Sequence, residues 1–297
     1  MVGGFSERRE RGFRKMKENR KVWLVTGSST GFGRALVEEL ITQGYSVVAT
    51  ARKLEALSNL TENENVLKTT LDVTDGNSIS NAVKAAIDKF GRIDVLVNNA
   101  GFGYFGVMEE SDQATVKRMM DTNFWGANDM TLAVLPYMRA QKSGHIINTV
   151  SRGGLTTTET LSYYHATKFA MEGLFQTLRK EIEPLGIFVS NVEPGSFRTD
   201  WAGRSKESAE GEIADYVAAH EFLNVLNNYS GTQAGSPELA AKAFIELANL
   251  DNPPMHYLMG KDAYQMSKQV FEEALSEFEA YKEDATHLDY GDEDYWK

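Results

Sequence analysis

The sequence predicts one doubly wound α/β domain, a parallel sheet of seven strands with helices on both faces. Three observations carry that expectation. Short runs rich in valine and isoleucine lack polar alternation, as strands buried on both faces do. Amphipathic segments with helical spacing alternate with those runs. A glycine-rich turn follows the first run and opens directly into a helical pattern.

Taken in order, strands are expected at residues 22–26, 46–50, 66–71, 95–97, 145–150 and 187–192, with a late short one at 256–259. Helical patterns run between them over 34–43, 78–90, 112–138, 164–183 and 237–250. The helix ends agree with that reading. Gly44 and Gly91 stand where C-cap glycines belong, and Pro184 stops the fourth helix. No internal repeat and no Pro/Gly/Ser linker interrupts the pattern, so residues 21–283 are read as a single domain. Residues 201–235 are too many for an idle connection and are expected to hold a short helix and cover a site as a lid. A last helix over 263–281 aligns Met266, Val270, Phe271, Leu275 and Phe278, a stripe that suits a core or a subunit contact.

Composition narrows the function. The chain has 297 residues, 42% hydrophobic and 25% charged, which is ordinary for a globular protein and excludes disorder and collagen-like repeats. There is no cysteine, hence no disulfide, thiolate nucleophile or cysteine-held metal, and five scattered histidines do not suggest a zinc site. No stretch of eighteen apolar residues offers a membrane span. A net charge of −11 and a pI near 5.1 argue against nucleic-acid binding, which needs a basic footprint. Residues 7–21 are the exception, with eight basic residues against three acidic ones. A mitochondrial transit peptide would be poorer in acids, so residues 1–20 are expected to be a solvated tail, like the acidic residues 284–297. A cytoplasmic protein is expected.

The turn after the first strand reads Thr26-Gly27-Ser28-Ser29-Thr30-Gly31-Phe32-Gly33. Glycines there permit a tight turn and close backbone approach to a pyrophosphate, and the helix that follows offers free N–H groups to the anion. Gly27, Ser29, Thr30, Gly31, Phe32 and Gly33 are therefore expected to bind a dinucleotide. The spacing is G-x-x-x-G-x-G rather than G-x-G-x-x-G, and no lysine follows to make a nucleoside-triphosphate loop. At the end of the second strand, where an acid would hold a ribose 2′-hydroxyl, stand Arg52 and Lys53. A guanidinium pairs with a 2′-phosphate, so NADP(H) is favoured over NAD(H).

Tyr164 and Lys168 stand four apart, on one face of a helix. An ammonium near a phenol is expected to lower its pKa and suit it to proton exchange with an alcohol or carbonyl oxygen. Ser151 ends the fifth strand, Asn98-Asn99-Ala100-Gly101 the fourth, and Pro194-Gly195-Ser196-Phe197-Arg198-Thr199 follows the sixth. All three lie at carboxyl ends of strands, where open α/β sheets bind ligands. With these motifs in this order the chain resembles the short-chain dehydrogenase/reductase superfamily, in its compact single-domain Rossmann form, from residue 22 to about residue 259.

The resemblance implies roles. Tyr164 would be the general acid/base, Lys168 its tuning cation and a holder of the nicotinamide ribose, and Ser151 the group that polarises the substrate oxygen. Asn123 would steady a water in the proton relay. Asp72 and Val73 would lie beside the adenine, and Asn99, Ala100, Gly101, Pro194, Gly195 and Phe197 along the cofactor. Thr199 would meet the carboxamide, and Asn98 would stabilise the central sheet. Val150 departs from the pattern, which often has a second serine there. Tyr163, His145 and His165 are expected to be structural. Residues 102–108, 152–160 and the lid would choose the substrate, with Phe102, Tyr104, Phe105 and Trp201 as an apolar wall.

The leading expectation is an NADP(H)-dependent oxidoreductase interconverting a carbonyl and an alcohol on a small hydrophobic substrate. A homodimer or homotetramer built on the helices around 112–138 and 164–183 is expected with it. Two alternatives are a sensor that binds NADP(H) without turnover and a non-oxidative epimerase or dehydratase of the same superfamily. The intact Ser151, Tyr164, Lys168 and Asn123 speak against the sensor. The compact length and glycine spacing speak against the longer, non-oxidative branch.

Overall fold

The computed structural model describes residues 21–199, 206–228 and 231–288. In chain order the strands are β1 (Val22–Val25), β2 (Ser46–Ala51), β3 (Val66–Thr70), β4 (Val95–Asn98), β5 (Gly103–Phe105), β6 (Gly144–Thr149), β7 (Ile187–Pro194), β8 (Lys206–Ser208) and β9 (His256–Met259). Seven of them form one sheet, ordered β3-β2-β1-β4-β6-β7-β9, and every pairing in it is parallel. The chain moves outward from β1 through β2 to β3, then returns to β4 on the other side of β1. That reversal opens a crevice at the carboxyl ends of β1 and β4.

The helices are α1 (Gly31–Thr42), α2 (Gly76–Phe90), α3 (Gln113–Met120), α4 (Gly126–Gln141), α5 (Ser162–Ile182), α6 (Val217–Asn228), α7 (Pro237–Ala248), α8 (Lys261–Ala280) and the short α9 (Lys282–Thr286). Side chains of one strand point alternately to opposite faces, so Trp23 and Val25 join one core and Leu24 the other. The first core takes Leu36, Val37 and Leu40 of α1 and Phe244 of α7. The second takes Val83 of α2, Met130 and Val134 of α4 and Phe175 of α5. Helix starts are capped where the chain supplies an acceptor: Asp75, Asp112 and Ser236 accept from backbone N–H groups two or three residues on.

Three features depart from the sequence expectation. The helix expected over 112–138 is broken by a π-turn at Asp121–Trp125. The wider turn brings Asn123 onto the Phe102 backbone, and Gly126 then lies so close to Val73 that a Cβ would meet its Cγ2 at 2.6 Å. Secondly, β5 and β8 form a separate two-stranded parallel sheet between the end of β4 and the segment after β7. Thirdly, the apolar stripe of α8 is not core: Phe271, Leu275 and Phe278 are exposed, and the helix buries Ala263 and Ser267 instead. Within 201–235 lies the helix α6, while Trp201 falls outside the described residues, as do residues 1–20 and 289–297. No helix among the described residues is long and apolar enough to cross a membrane.

A buried polar chain crosses the middle of the sheet. Asn98, Asn148 and Asn191 are in register on β4, β6 and β7. Asn98 Nδ2 donates to Asn148 Oδ1 at 2.9 Å and to Thr131 Oγ1 at 3.0 Å, and Asn148 Nδ2 donates to Asn191 Oδ1 at 2.9 Å. Asn191 Nδ2 in turn donates to Glu172 Oε2 of α5 at 2.7 Å. Each amide donates to the next, while Asn98 Oδ1 at one end and Glu172 Oε1 at the other are buried without a hydrogen-bond partner among the described residues. Asn148→Ala strands a donor of Asn98 and the acceptor of Asn191. At about 1–3 kcal/mol per stranded group it should cost roughly 2–6 kcal/mol of stability in urea unfolding. A loss under about 0.5 kcal/mol would show that the row is not a stabilising element.

Candidate active site

A cavity of about 560 Å³ occupies the crevice at the carboxyl ends of the strands, a size within the range of ligand sites. One end is the glycine turn. Gly27 has φ +68° and Gly31 φ +57°, a region that L side chains rarely adopt. A Cβ on Gly33 would stand 2.4 Å from the Gly27 carbonyl oxygen, so the helix can begin this close to the turn only with glycine there. Thr30 is the N-cap of α1 and makes no side-chain capping bond. The first N–H groups of α1 therefore keep no side-chain partner at a wall made of Ser29, Thr30, Gly31 and Phe32. Thr26 ties the turn to β4: its hydroxyl accepts from the N–H groups of Asn99 and Ala100, at 2.8 and 2.9 Å.

Arg52, Asp72 and Val73 line the same end. Hydrogen bonds from the Thr74 hydroxyl and N–H hold the Asp72 carboxyl below the usual carboxylate range, and the Arg52 charge adds a smaller pull. The far end is built by Ser151, Arg152, Tyr164 and Lys168, with Pro194, Gly195, Phe197 and Thr199 along one side. The loop after β7 is fixed from α8, where Asp262 Oδ2 accepts from Ser196 N–H at 2.7 Å. The segment after β7 contributes Lys206, Glu207, Phe222, Leu226 and Gln233.

At this far end α5 presents Tyr164 and Lys168 on its inner face, both buried. A hydrogen bond joins the Tyr164 and Ser151 hydroxyls, and burial pushes the phenol up to about 12 against the opposing effects of that bond and of the Arg152 charge. Burial also pushes Lys168 down to about 8, while the Glu172 carboxylate pulls it back up. The lysine Nζ donates to the Thr149 carbonyl at 2.9 Å and stands 5.8 Å from the Tyr164 ring centre. Desolvation therefore raises the tyrosine instead of the lowering expected from Lys168, and the groups that oppose it are Ser151 and Arg152. Ser151 itself holds φ 155° and ψ 157°, a backbone conformation almost confined to glycine.

The cavity brings together every expected site residue except Gly33, which packs behind the turn, and Asn123. Asn123 is buried in the π-turn. Its amide donates to Phe102 O at 2.9 Å and Thr167 Oγ1 at 3.3 Å, and its Oδ1 accepts from Phe102 N–H at 3.0 Å. The side chain thus braces the loop after β4 and does not line the cavity. The Asn99 amide is spent on the carbonyls of Thr26 and Gly27.

In the expected apolar wall, Phe102 and Phe105 line the cavity. Tyr104 does not: it is buried beneath, its hydroxyl accepting from Asp112 N–H at 2.8 Å. Tyr163 bonds Gln113 away from the cavity. His165 accepts from Thr158 N–H at Nε2, so its Nδ1 donates to Gly153 O, each at 2.8 Å, and it pins the loop that carries Arg152. His145 is neutral, pushed down to about 3 by burial.

Sequence reading missed Glu172, Glu193 and His256. The acid pair is buried behind Lys168, with His256 Nδ1 2.7 Å from Glu193 Oε1. Burial pushes Glu193 up to about 7, and the Glu193 bond raises His256. Nothing in their spacing along the chain signals that β7, β9 and α5 bring them together.

Known proteins share this architecture. Residues 21–210 match the sequence model of the short chain dehydrogenase family. An oxidoreductase of Botryotinia fuckeliana, BOA17, is 36% identical over 266 residues, covering 89% of this chain and 97% of that protein. The crystal structure of a short-chain dehydrogenase from Streptomyces avermitilis superposes with a TM-score of 0.85 at 34% identity, over 92% of this chain and all of the other. An alcohol dehydrogenase from Thermococcus sibiricus, complexed with 5-hydroxy-NADP, gives a TM-score of 0.67 at 25% identity over 81% of this chain and 96% of its own.

Proposed function

This chain belongs to the short-chain dehydrogenase/reductase superfamily of oxidoreductases, and on that premise we propose that it interconverts a carbonyl and an alcohol with NADP(H), with Tyr164 as general acid/base. The observation that carries the reading is the hydrogen-bonded Ser151–Tyr164 pair beside buried Lys168 on the wall of the cavity that also holds the glycine turn. The turn fits a dinucleotide through its uncapped helix start, its positive-φ glycines and the close packing of Gly33. The Thermococcus sibiricus neighbour carries a cofactor of this class. A bound nicotinamide would supply or accept the hydride.

The chain's own residues manage the oxygen and its proton. Ser151 orients the carbonyl oxygen by donating to it. Tyr164, held protonated by its burial, is in the correct form at neutral pH to give that oxygen a proton. Lys168 and Arg152 place positive charge near the phenolate that remains. Tyr164→Phe should lower kcat at least 10³-fold, within the range of general acid–base and charge-stabilising effects, and leave nucleotide affinity unchanged. Retained turnover would remove the assignment. The same assay run against pH should lose rate as pH rises through about 8. Lys168 is pushed down to that value by burial, so it is charged below it and neutral above it.

Arg52, on the cavity wall without an acid at the strand end, supports NADP(H) over NAD(H). Arg52→Asp should shift the ratio of kcat/KM values towards NADH by about tenfold or more, the worth of roughly one charge-assisted hydrogen bond. An unchanged ratio would place 2′-phosphate recognition elsewhere.

Exposed Trp125 and Leu132 at the π-turn and on α4, with Phe169 on α5, support a homo-oligomer built on these faces. Sedimentation equilibrium should return a dimer or tetramer mass. A monomer at all concentrations would refute it.

A further inference from the structure

Arg152 places a cation on the cavity wall beside the Ser151–Tyr164 pair. It follows Ser151 directly, lines the cavity, and is half-buried. A guanidinium carries five N–H donors. Its hydrogen bond to another side chain is from Nη1 to Thr156 Oγ1 at 3.4 Å, at the long limit of such a bond. Among the described residues no carboxylate forms an ion pair with it. Its neighbours differ. Arg118, also on the wall, is spent on Glu207 of β8 at 2.5 Å, and Arg198 donates to Gln233 O. A partly desolvated guanidinium with one long hydrogen bond and no carboxylate partner among the described residues is costly, and the cost is relieved by an oxyanion that takes the fork.

The surroundings point the same way. The charge reaches the Tyr164 hydroxyl, so the cation lies close to where a substrate oxygen would be protonated. His165 holds the loop from both of its ring nitrogens, which fixes the position of the arginine backbone. Phe102, Phe105, Leu161, Phe222 and Leu226 give the cavity apolar lining, beside the charged Arg118, Lys206 and Glu207. Resting on the proposed reaction, we propose that Arg152 anchors an oxyanion of the substrate, so that the substrate is an apolar carbonyl compound carrying a carboxylate or phosphate near its reactive carbon.

The test is calorimetric binding to the full chain saturated with NADP+, using decanoate, decyl phosphate and decanamide as probes. Either anion should bind at least tenfold more tightly than the neutral amide, and the tighter of the two identifies the group. Arg152→Gln should remove that preference with NADP+ affinity unchanged, and Arg152→Lys, which keeps the charge but not the fork, should fall between. Equal affinities for all three probes in the unmodified protein would overturn the proposal, as would an anion preference that survives Arg152→Gln. Binding does not depend on turnover. Failure of the oxidoreductase reading would show separately, as NADPH left unconsumed with carbonyl compounds of every class.

Discussion

A parallel sheet puts the carboxyl ends of all its strands on one edge, and in this protein the whole candidate site hangs from that edge. β1 delivers the glycine turn, β2 leads to Arg52, β4 to Asn99, β6 to Ser151 and β7 to Pro194. The reversal between β1 and β4 keeps two consecutive crossovers from covering the same ground, so the crevice stays open. No strand can slip by a residue without turning its apolar set from one core to the other. Position at the edge is therefore fixed by the burial of residues such as Trp23, Leu24 and Val25, far from any chemistry.

The polar row Asn98–Asn148–Asn191 extends that control into the electrostatics. It ends on Glu172, four residues after Lys168 on α5, and Glu172 is the carboxylate that opposes the desolvation of Lys168. The sheet interior and the charge of Lys168 are thus joined through one buried carboxylate. Glu193 and His256 lie behind it and share its charge. Tyr164 and Lys168 pay opposite signs for their burial, the phenol rising and the ammonium falling. Both shifts favour neutral forms, as desolvation must.

Much of this was legible in the chain. Strands buried on both faces announce themselves as uniform apolar runs, and all seven members of the main sheet lie where those runs are. Spacing alone placed Tyr164 and Lys168 on one helix face. Three-residue β5 and β8 carry no periodicity long enough to read, and the π-turn at Asn123 depends on a tertiary bond to Phe102. The direction of the Tyr164 shift was also beyond spacing, because it depends on how deeply α5 is buried. Arg152 could be seen as a basic residue beside Ser151, but whether an acid answers it depends on which loops fold over it. The stripe on α8 shows the converse limit: spacing announces the helix and its apolar face, while the choice between core and subunit contact depends on what packs there, and within the chain it is not core.

The central claim is that this cavity joins hydride transfer to proton donation by Tyr164. The most direct measurement follows deuterium from NADPH labelled at the nicotinamide C4 into the alcohol formed from an apolar ketone, by mass spectrometry. One deuterium on the carbinol carbon with the unmodified protein, and none with Tyr164→Phe, is the result expected. Alcohol formed without the label, or the same labelled yield from Tyr164→Phe, would contradict it.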